Sequence, residues 1–482
     1  MVPDSEEGDE IMDMLACDLN RSSDMPLYEQ LYEYIKKEII EGRLLYQTKL
    51  PSKRKLADFL QISQNTIDAA YNQLTAEGYL EVIPRKGYFV MASEDLEYIP
   101  KVAVPEQPDE KKEEVRFHFH PGQIDTASFP MDAWRKVAKQ FLSEEYQELL
   151  LHGSSQGEYE LRKEIAYYLY HARGVICTPE QIIIGAGVEI LLQQLLILLD
   201  DKTVYGVEDP GYHLIHRILK TYPKEVHPLA VDEDGLIVDQ LEASDIDVAY
   251  VTPSHHFPYG TILPVNRRMK LLNWAAAQEQ RYIIEDDYDS EFRYSGKAIP
   301  SLQSMDQGDK VIYLGSFSKS LMPSIRISYM VLPKHLLPRY KKELSFYHST
   351  VSRIDQHVLA EFIRQGMFEK HLNRMRKVYR QKLDLVTNTI KAITGRISII
   401  GGNSGLHVVL AVNNGMSEEE LVHRAAAAHI RVHPLSSYML MPQENRMPTI
   451  VLGFAGIRTE ELEEAIHLLI ESWGMVKERK DE

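Results

Sequence analysis

Cysteine is nearly absent: Cys17 and Cys177 are the only two among 482 residues. Two thiols cannot build a disulfide framework or a multi-cysteine zinc site. Long hydrophobic runs are missing too. The longest, Ile190 to Leu199, is interrupted by Gln193 and Gln194 and falls well short of the ~20 apolar residues that span a bilayer. The opening Pro3-Asp4-Ser5-Glu6-Glu7 lacks the positive-then-apolar order of a secretory signal. A soluble, cytoplasmic protein without a membrane partner is expected. There is no internal repeat and no low-complexity tract. With 44% hydrophobic and 26% charged residues the chain has globular proportions, and its length implies two or three domains.

Positive charge is also scarce overall. The net charge of −17 argues against non-specific affinity for nucleic acid. Its distribution is uneven, however. Between Met25 and Ala92 nine Lys or Arg face eight Asp or Glu. The cations there are gathered as Lys49, Lys53, Arg54 and Lys55, then Arg85 and Lys86.

Leu27, Leu31, Ile35 and Ile39 recur every four positions, which predicts an amphipathic helix from about 26 to 42. Ser52 is placed to cap a second helix with Leu56, Ala57 and Leu60 inward, and Ser63 a third from about 64 to 77. The third helix has Ile67, Ala70, Tyr71 and Leu74 on its apolar face. Two short alternating runs, Tyr79–Ile83 and Tyr88–Met91, flank the turn Pro84-Arg85-Lys86-Gly87 and predict a hairpin. Three helices and a basic-tipped hairpin make a winged helix-turn-helix over 25–92, preceded by an acidic segment, 1–24. Residues 93–116 carry three prolines and a charge run and read as a flexible linker. From 117 to 476 helical and strand patterns alternate, with buried-strand candidates at 181–184, 247–252, 282–285, 311–314 and 327–332. That alternation predicts an α/β domain with a largely parallel sheet.

A recognition helix presents polar side chains at its N-terminal end to base edges. Gln64, Asn65 and Thr66 stand there, with Asp68 on the next exposed face. Lys53 and Arg54 suit phosphate contact, and Arg85, Lys86 and Gly87 form a wing tip that can grip the backbone. A small interaction module with a solvated basic face explains the same pattern. The segments Pro26-Leu27-Tyr28, Leu50-Pro51-Ser52-Lys53-Arg54 and Ala69-Ala70-Tyr71 through Ala76-Glu77-Gly78-Tyr79-Leu80 closely resemble the N-terminal domain of GntR-superfamily regulators, which implies double-stranded operator DNA as a partner. That family usually carries Arg where Gln64 stands.

In the remaining chain, polar groups cluster where strands are expected to end, the edge at which open α/β sheets bind ligands. Lys319, in Gly315-Ser316-Phe317-Ser318-Lys319-Ser320, can form a Schiff base with an aldehyde cofactor. Ser316, Ser318 and Arg326 can hold a phosphate. Taken alone, a lysine in a Ser-rich turn is most often a surface lysine. Asp286, in Glu285-Asp286-Asp287-Tyr288, can pair with a protonated pyridine nitrogen, and Tyr288 can bond a ring oxygen; a metal-binding or merely solvated acidic turn reads the same. Gly185-Ala186-Gly187-Val188, leading into a helix, makes a backbone anion cradle. Tyr212, after Asp209-Pro210-Gly211, can stack on a flat ring or simply fill the core. No metal site is expected.

In this order and spacing the segments, with Thr252-Pro253-Ser254-His255-His256-Phe257-Pro258, resemble fold-type I aminotransferases dependent on pyridoxal 5′-phosphate (PLP). By that resemblance Lys319 is the aldimine-forming lysine, and Asp286 and Tyr288 are the ring partners. Tyr212 stacks, while Ser316, Ser318, Arg326, Gly187 and Val188 surround the phosphate. A GntR-type winged helix joined to such a domain resembles the MocR-type regulators. It implies a mostly parallel large domain with a small C-terminal α+β domain. It also implies a homodimer with exchanged DNA-binding domains, and a transcriptional regulator sensing a small amine, an amino acid or peptide, or PLP itself. An active aminotransferase with an accessory DNA-binding domain is the alternative, at most a slow half-transaminase. A cofactor-free dimerisation scaffold fits less well, because Lys319, Asp286, Tyr288 and Arg326 are all present. Two arginines that clamp an effector carboxylate in the best-known members are replaced by Leu214 and Gly456, with Arg217 and Arg458 displaced nearby. Glu189 would repel a phosphate, so its carboxylate is expected to point away from the cradle.

Overall fold

The computed structural model describes residues 15, 17, 19–23, 25–91, 114–441 and 446–475. Most of the acidic segment and residues 93–113 of the expected linker lie outside these, as does residue 476. The chain divides into two compact units, Met1–Lys112 and Glu113–Glu482. Arg116, assigned to the linker by composition, belongs to the second: its N–H donates to the His429 carbonyl at 2.8 Å and its guanidinium pairs with Glu464.

In the first unit α1 (Leu27–Ile40), α2 (Lys53–Leu60) and α3 (Gln64–Ala76) precede β1 (Leu80–Ile83) and β2 (Gly87–Val90). Both expected caps form. Ser52 Oγ accepts from Lys55 N–H and Ser63 Oγ from Thr66 N–H, supplying acceptors that the first helical turn lacks. Leu31, Ile35, Leu56, Ile67, Tyr71 and Leu74 bury their side chains together with Leu80 and Val90. β1 and β2 pair antiparallel from Leu80↔Val90 to Ile83↔Gly87. At the wing tip Arg85 (φ 65°) and Gly87 (φ 115°) adopt left-handed backbone.

The second unit is built on α4 (Tyr159–Arg173), β3 (Ile182–Gly185), α5 (Val188–Leu198) and seven further strands. These are β4 (Val204–Asp209), β5 (Glu225–Asp232), β6 (Gly235–Leu236), β7 (Val248–Val251), β8 (Tyr282–Asp287), β9 (Val311–Ser316) and β10 (Ser328–Val331). They form one sheet in the order β3-β10-β9-β8-β7-β4-β5-β6. Strands β9, β8, β7, β4 and β5 are parallel neighbours. β10 runs antiparallel to both β9 and β3. Alternation along the strands separates the two faces. Ile182, Ile184, Tyr313 and Tyr329 join the core shared with the small domain, whereas Ile183, Ile312, Leu314 and Met330 pack under Leu191, Leu192 and Leu195 of α5.

The small domain carries β11 (Ile397–Ile400), β12 (His407–Val412), β13 (His433–Pro434) and β14 (Thr449–Gly453) in the order β11-β12-β14-β13. The 27-residue helix Met367–Ile393 runs through the core common to both sheets, contributing Phe368, Met375, Tyr379 and Val386. Its Lys382 is fully buried. The ammonium meets Asp125 Oδ2 at 2.7 Å and donates to the carbonyls of Ala455 and Ile457. No described helix is long and apolar enough to cross a membrane.

Candidate functional site

Because β4, β7, β8 and β9 are parallel, Asp209, Val251, Asp287 and Ser316 all end at one edge of the sheet, and the candidate residues collect there. Lys319 lies in the short helical turn Phe317–Ser320 that follows β9. Its ammonium is 4.2 Å from the Tyr288 ring centroid and 3.9 Å from Asp289 Oδ2. Burial pushes the lysine below its usual pKa, against the opposing pull of Asp289 and Asp286. A larger share of neutral, nucleophilic amine follows.

Asp286 is near the end of β8. One carboxylate oxygen, Oδ2, accepts from the Tyr250 hydroxyl; the other, Oδ1, is buried with no hydrogen-bond partner among the described residues. Burial pushes its pKa up to about 6, so near neutral pH it is largely an anion with one unused lone-pair face. Tyr288 hydroxyl lies 3.0 Å from His255 Nδ1, which is 2.7 Å from Asp289 Oδ1. Tyr212 is 44% exposed, but its hydroxyl end is enclosed enough for burial to raise its pKa, with Asp286 and Glu189 adding to the rise and Arg326 opposing it. Those three charged groups therefore all act electrostatically on one tyrosine.

The phosphate candidates also converge. Ser316 Oγ accepts from Ser318 N–H at 3.1 Å and bonds Ser328 Oγ at 2.9 Å. Arg326 Nη2 reaches the Ala186 carbonyl at 3.3 Å. Gly187, at φ 105°, has no room for a side chain, since a Cβ would stand 2.1 Å from that nitrogen. Glu189 does not turn away as expected: its carboxylate pairs directly with Arg326. The helix N-terminus and the guanidinium attract an anion, and in this chain the nearest one is its own.

Sequence reasoning missed the supports behind these groups. Tyr250 is an ordinary apolar-strand residue by pattern. Arg173, the last residue of α4, donates from Nε to Asp287 Oδ2 at 2.6 Å, from Nη2 to Ser254 Oγ at 2.7 Å, and from Nη1 to the Ile299 carbonyl. Asp287 also accepts from the Tyr313 hydroxyl. The acidic turn is thus neither solvated nor, among the described residues, part of a metal-binding cluster. Arg173→Ala would leave Asp287 charged and buried. The expected cost is about 3–5 kcal/mol, read as a lowered denaturant midpoint.

In the first unit Gln64, Asn65, Arg54, Arg85 and Lys86 are exposed. Two candidates are committed locally instead. Thr66 Oγ1 bonds Ser63 Oγ at 2.8 Å, and the Lys53 ammonium pairs with Asp68 and lies 5.3 Å from the Tyr88 ring centroid.

A family model described as aminotransferase class I and II matches residues 119–469, and one described as bacterial regulatory proteins, gntR family, matches residues 27–90. The chain is 44% identical over 461 residues to the uncharacterized HTH-type transcriptional regulator YdeL of Bacillus subtilis strain 168, covering 94% of this chain and 98% of the relative. It is 32% identical to the probable rhizopine catabolism regulatory protein MocR of Rhizobium meliloti, covering 94% of each. The chain belongs to the MocR-type regulators. Its fold matches a crystal structure of Pyrococcus horikoshii kynurenine aminotransferase in complex with PMP, with a TM-score of 0.65 and 21% identity over 75% of this chain and 91% of that one.

The aminotransferase class I and II fold makes this MocR-type regulator PLP-dependent. Asp286 fits that cofactor: its buried, unpartnered Oδ1 is a place for a ring N–H donor. The two positions expected to lack a carboxylate clamp are Leu214 and Gly456. At Gly456 a Cβ would stand 2.7 Å from the Gln123 side chain, so Gln123 occupies the room an arginine would need. Arg458 points to solvent beside Glu461, and Arg217 is exposed.

Proposed function

We propose that this transcriptional regulator uses PLP held by Lys319, Asp286, Tyr288 and Tyr212 to sense a small primary amine, or the cofactor itself, and that it works as a cytoplasmic homodimer with exchanged DNA-binding domains. The observation that carries the reading is the pairing of a desolvated lysine with a buried carboxylate that has one oxygen unpartnered. Bound PLP supplies an aldehyde that condenses with amines and a ring that withdraws electrons. Lys319 would offer the amine, and Asp286 Oδ1 would accept the ring N–H. The Tyr288 hydroxyl would orient the ring oxygen and Tyr212 would cover the ring face. Arg326, Ser316, Ser318 and the backbone at Gly187 and Val188 would receive the phosphate. With Leu214 and Gly456 at the clamp positions, a ligand without a carboxylate requirement suits the site best, and efficient transamination, which needs an oriented substrate, is disfavoured. The test is the absorbance of PLP-loaded protein titrated with amines, amino acids and oxo acids. A band that shifts once and stays supports sensing, and repeated bleaching and recovery on alternating amine and oxo acid would overturn it.

On DNA, Gln64, Asn65 and Thr66 are proposed to lie at base edges, with Lys53, Arg54, Arg85, Lys86 and Gly87 on the backbone. Arg54→Ala and Arg85→Ala should each weaken binding uniformly across sequences and flatten the log–log salt slope by about one. Lys53→Ala should do less, because Asp68 already neutralises that ammonium. Fluorescence anisotropy over a salt series reads all three.

A further inference from the structure

The cation and the cradle proposed for the cofactor phosphate are already engaged by the protein. Glu189 sits in the first turn of α5 and folds its carboxylate back over its own helix N-terminus. There it pairs with Arg326 and lies so close to the glycine turn that a Cβ on Gly187 would stand 2.5 Å from Glu189 Oε2. The same Arg326 nitrogen is also bonded to the Ala186 carbonyl. Tyr212 feels the charges of Asp286, Glu189 and Arg326, in line with a Glu189 carboxylate held at the glycine turn. Val188, beside it, has no hydroxyl to give a phosphate.

We propose that Glu189 is an internal competitor for the 5′-phosphate and so sets how strongly the site prefers PLP over its unphosphorylated form, pyridoxal. This rests on the reading that the pocket takes PLP. A phosphate entering the cradle must displace the carboxylate from Arg326 and then lie near it, a like-charge contact at a pair whose side chains are 47% and 35% exposed, between a carboxylate and a dianion. Pyridoxal makes the same ring and aldehyde contacts through Asp286, Tyr288 and Lys319 and leaves the Glu189–Arg326 pair closed. The residue therefore weakens the hold on phosphate without touching the ring. Occupancy then follows the free PLP concentration instead of saturating at trace levels.

The experiment is equilibrium titration of cofactor-free full-length protein with PLP and, separately, with pyridoxal, followed by absorbance and by protein fluorescence. Glu189→Gln keeps the shape and removes the charge. It should tighten PLP binding by roughly ten- to hundredfold and leave pyridoxal within about twofold. In an Arg326→Ala background the same substitution should gain less than about threefold, because the shared cation is gone. Inorganic phosphate should raise the melting temperature of cofactor-free Glu189→Gln protein but not of wild type. Unchanged or weaker PLP binding by Glu189→Gln, or equal tightening of PLP and pyridoxal, would overturn the proposal. Failure of wild type and variants alike to bind either compound would instead remove the reading of the pocket on which it rests.

Discussion

Lys319→Ala should abolish the long-wavelength absorbance of PLP-loaded protein completely, along with any change in DNA affinity on adding amines. Lys319 is the candidate amine at the strand-end edge, with Tyr288 and Asp289 within about the reach of one side chain. Burial holds more of it neutral than a surface lysine, and the neutral form alone attacks a carbonyl carbon. Surface lysines keep their protons and their hydration, and they have no Asp286 to hold the ring beside them. PLP should therefore wash out of the variant on gel filtration. The variant should also melt at about the wild-type cofactor-free temperature, because the unfavourable burial that is removed offsets the packing and the Asp289 pairing that are lost. A persistent band in Lys319→Ala would mean that a different amine carries the cofactor.

Asp286→Asn should act in opposite directions on the loaded and empty protein. With PLP, losing an ionic partner for a buried ring N–H costs about 1.5–3 kcal/mol, or roughly ten- to hundredfold in PLP affinity. Without PLP the same change should stabilise the fold. The carboxyl rises from its ordinary 3.8 to about 6, so the folded protein prefers it protonated. Its contribution is fully present below the unfolded pKa and is lost as pH climbs through about 6. At pH 8 the lost contribution approaches about 3 kcal/mol. The melting temperature of cofactor-free Asp286→Asn should thus equal wild type near pH 4 and exceed it increasingly up to pH 8. Lys319, Asp287, Asp289, Glu208 and Tyr250 face this position in both proteins, so the difference reads Asp286 together with its coupling to those neighbours. A pH-independent difference would refute the assigned strain on the carboxylate.

Much of this was legible in the chain, for a local reason. Ser52 and Ser63 reach N–H groups three residues on, so their caps can be read from adjacent letters. Likewise Lys319 and Tyr212 each follow a strand by three residues and Asp286 is the next-to-last residue of one, and parallel pairing alone brings such positions to one edge. Direction along the sheet was not legible. The run at 327–332 is apolar whichever way it points, and β10 proves antiparallel to β9. Partners distant in sequence were equally silent. Arg173 and Asp287 are 114 residues apart, and Tyr250 reaches Asp286 across 36. The Glu189 carboxylate was silent for the same reason: Arg326, the cation that draws it in, is 137 residues away in sequence.

The helix Met367–Ile393 has a mechanical consequence. At 1.5 Å per residue its 27 residues make an unbroken rod of about 40 Å. One rod with side chains in the core of both sheets cannot let the small domain slide freely; it converts local displacement into rotation about its own axis or into bending. Lys382 is the rivet, gripping the carbonyls on either side of Gly456. The loop around Gly456 is thereby fastened to the longest helix among the described residues, so a shift of a fraction of an ångström at that loop would be felt at the far end of the rod.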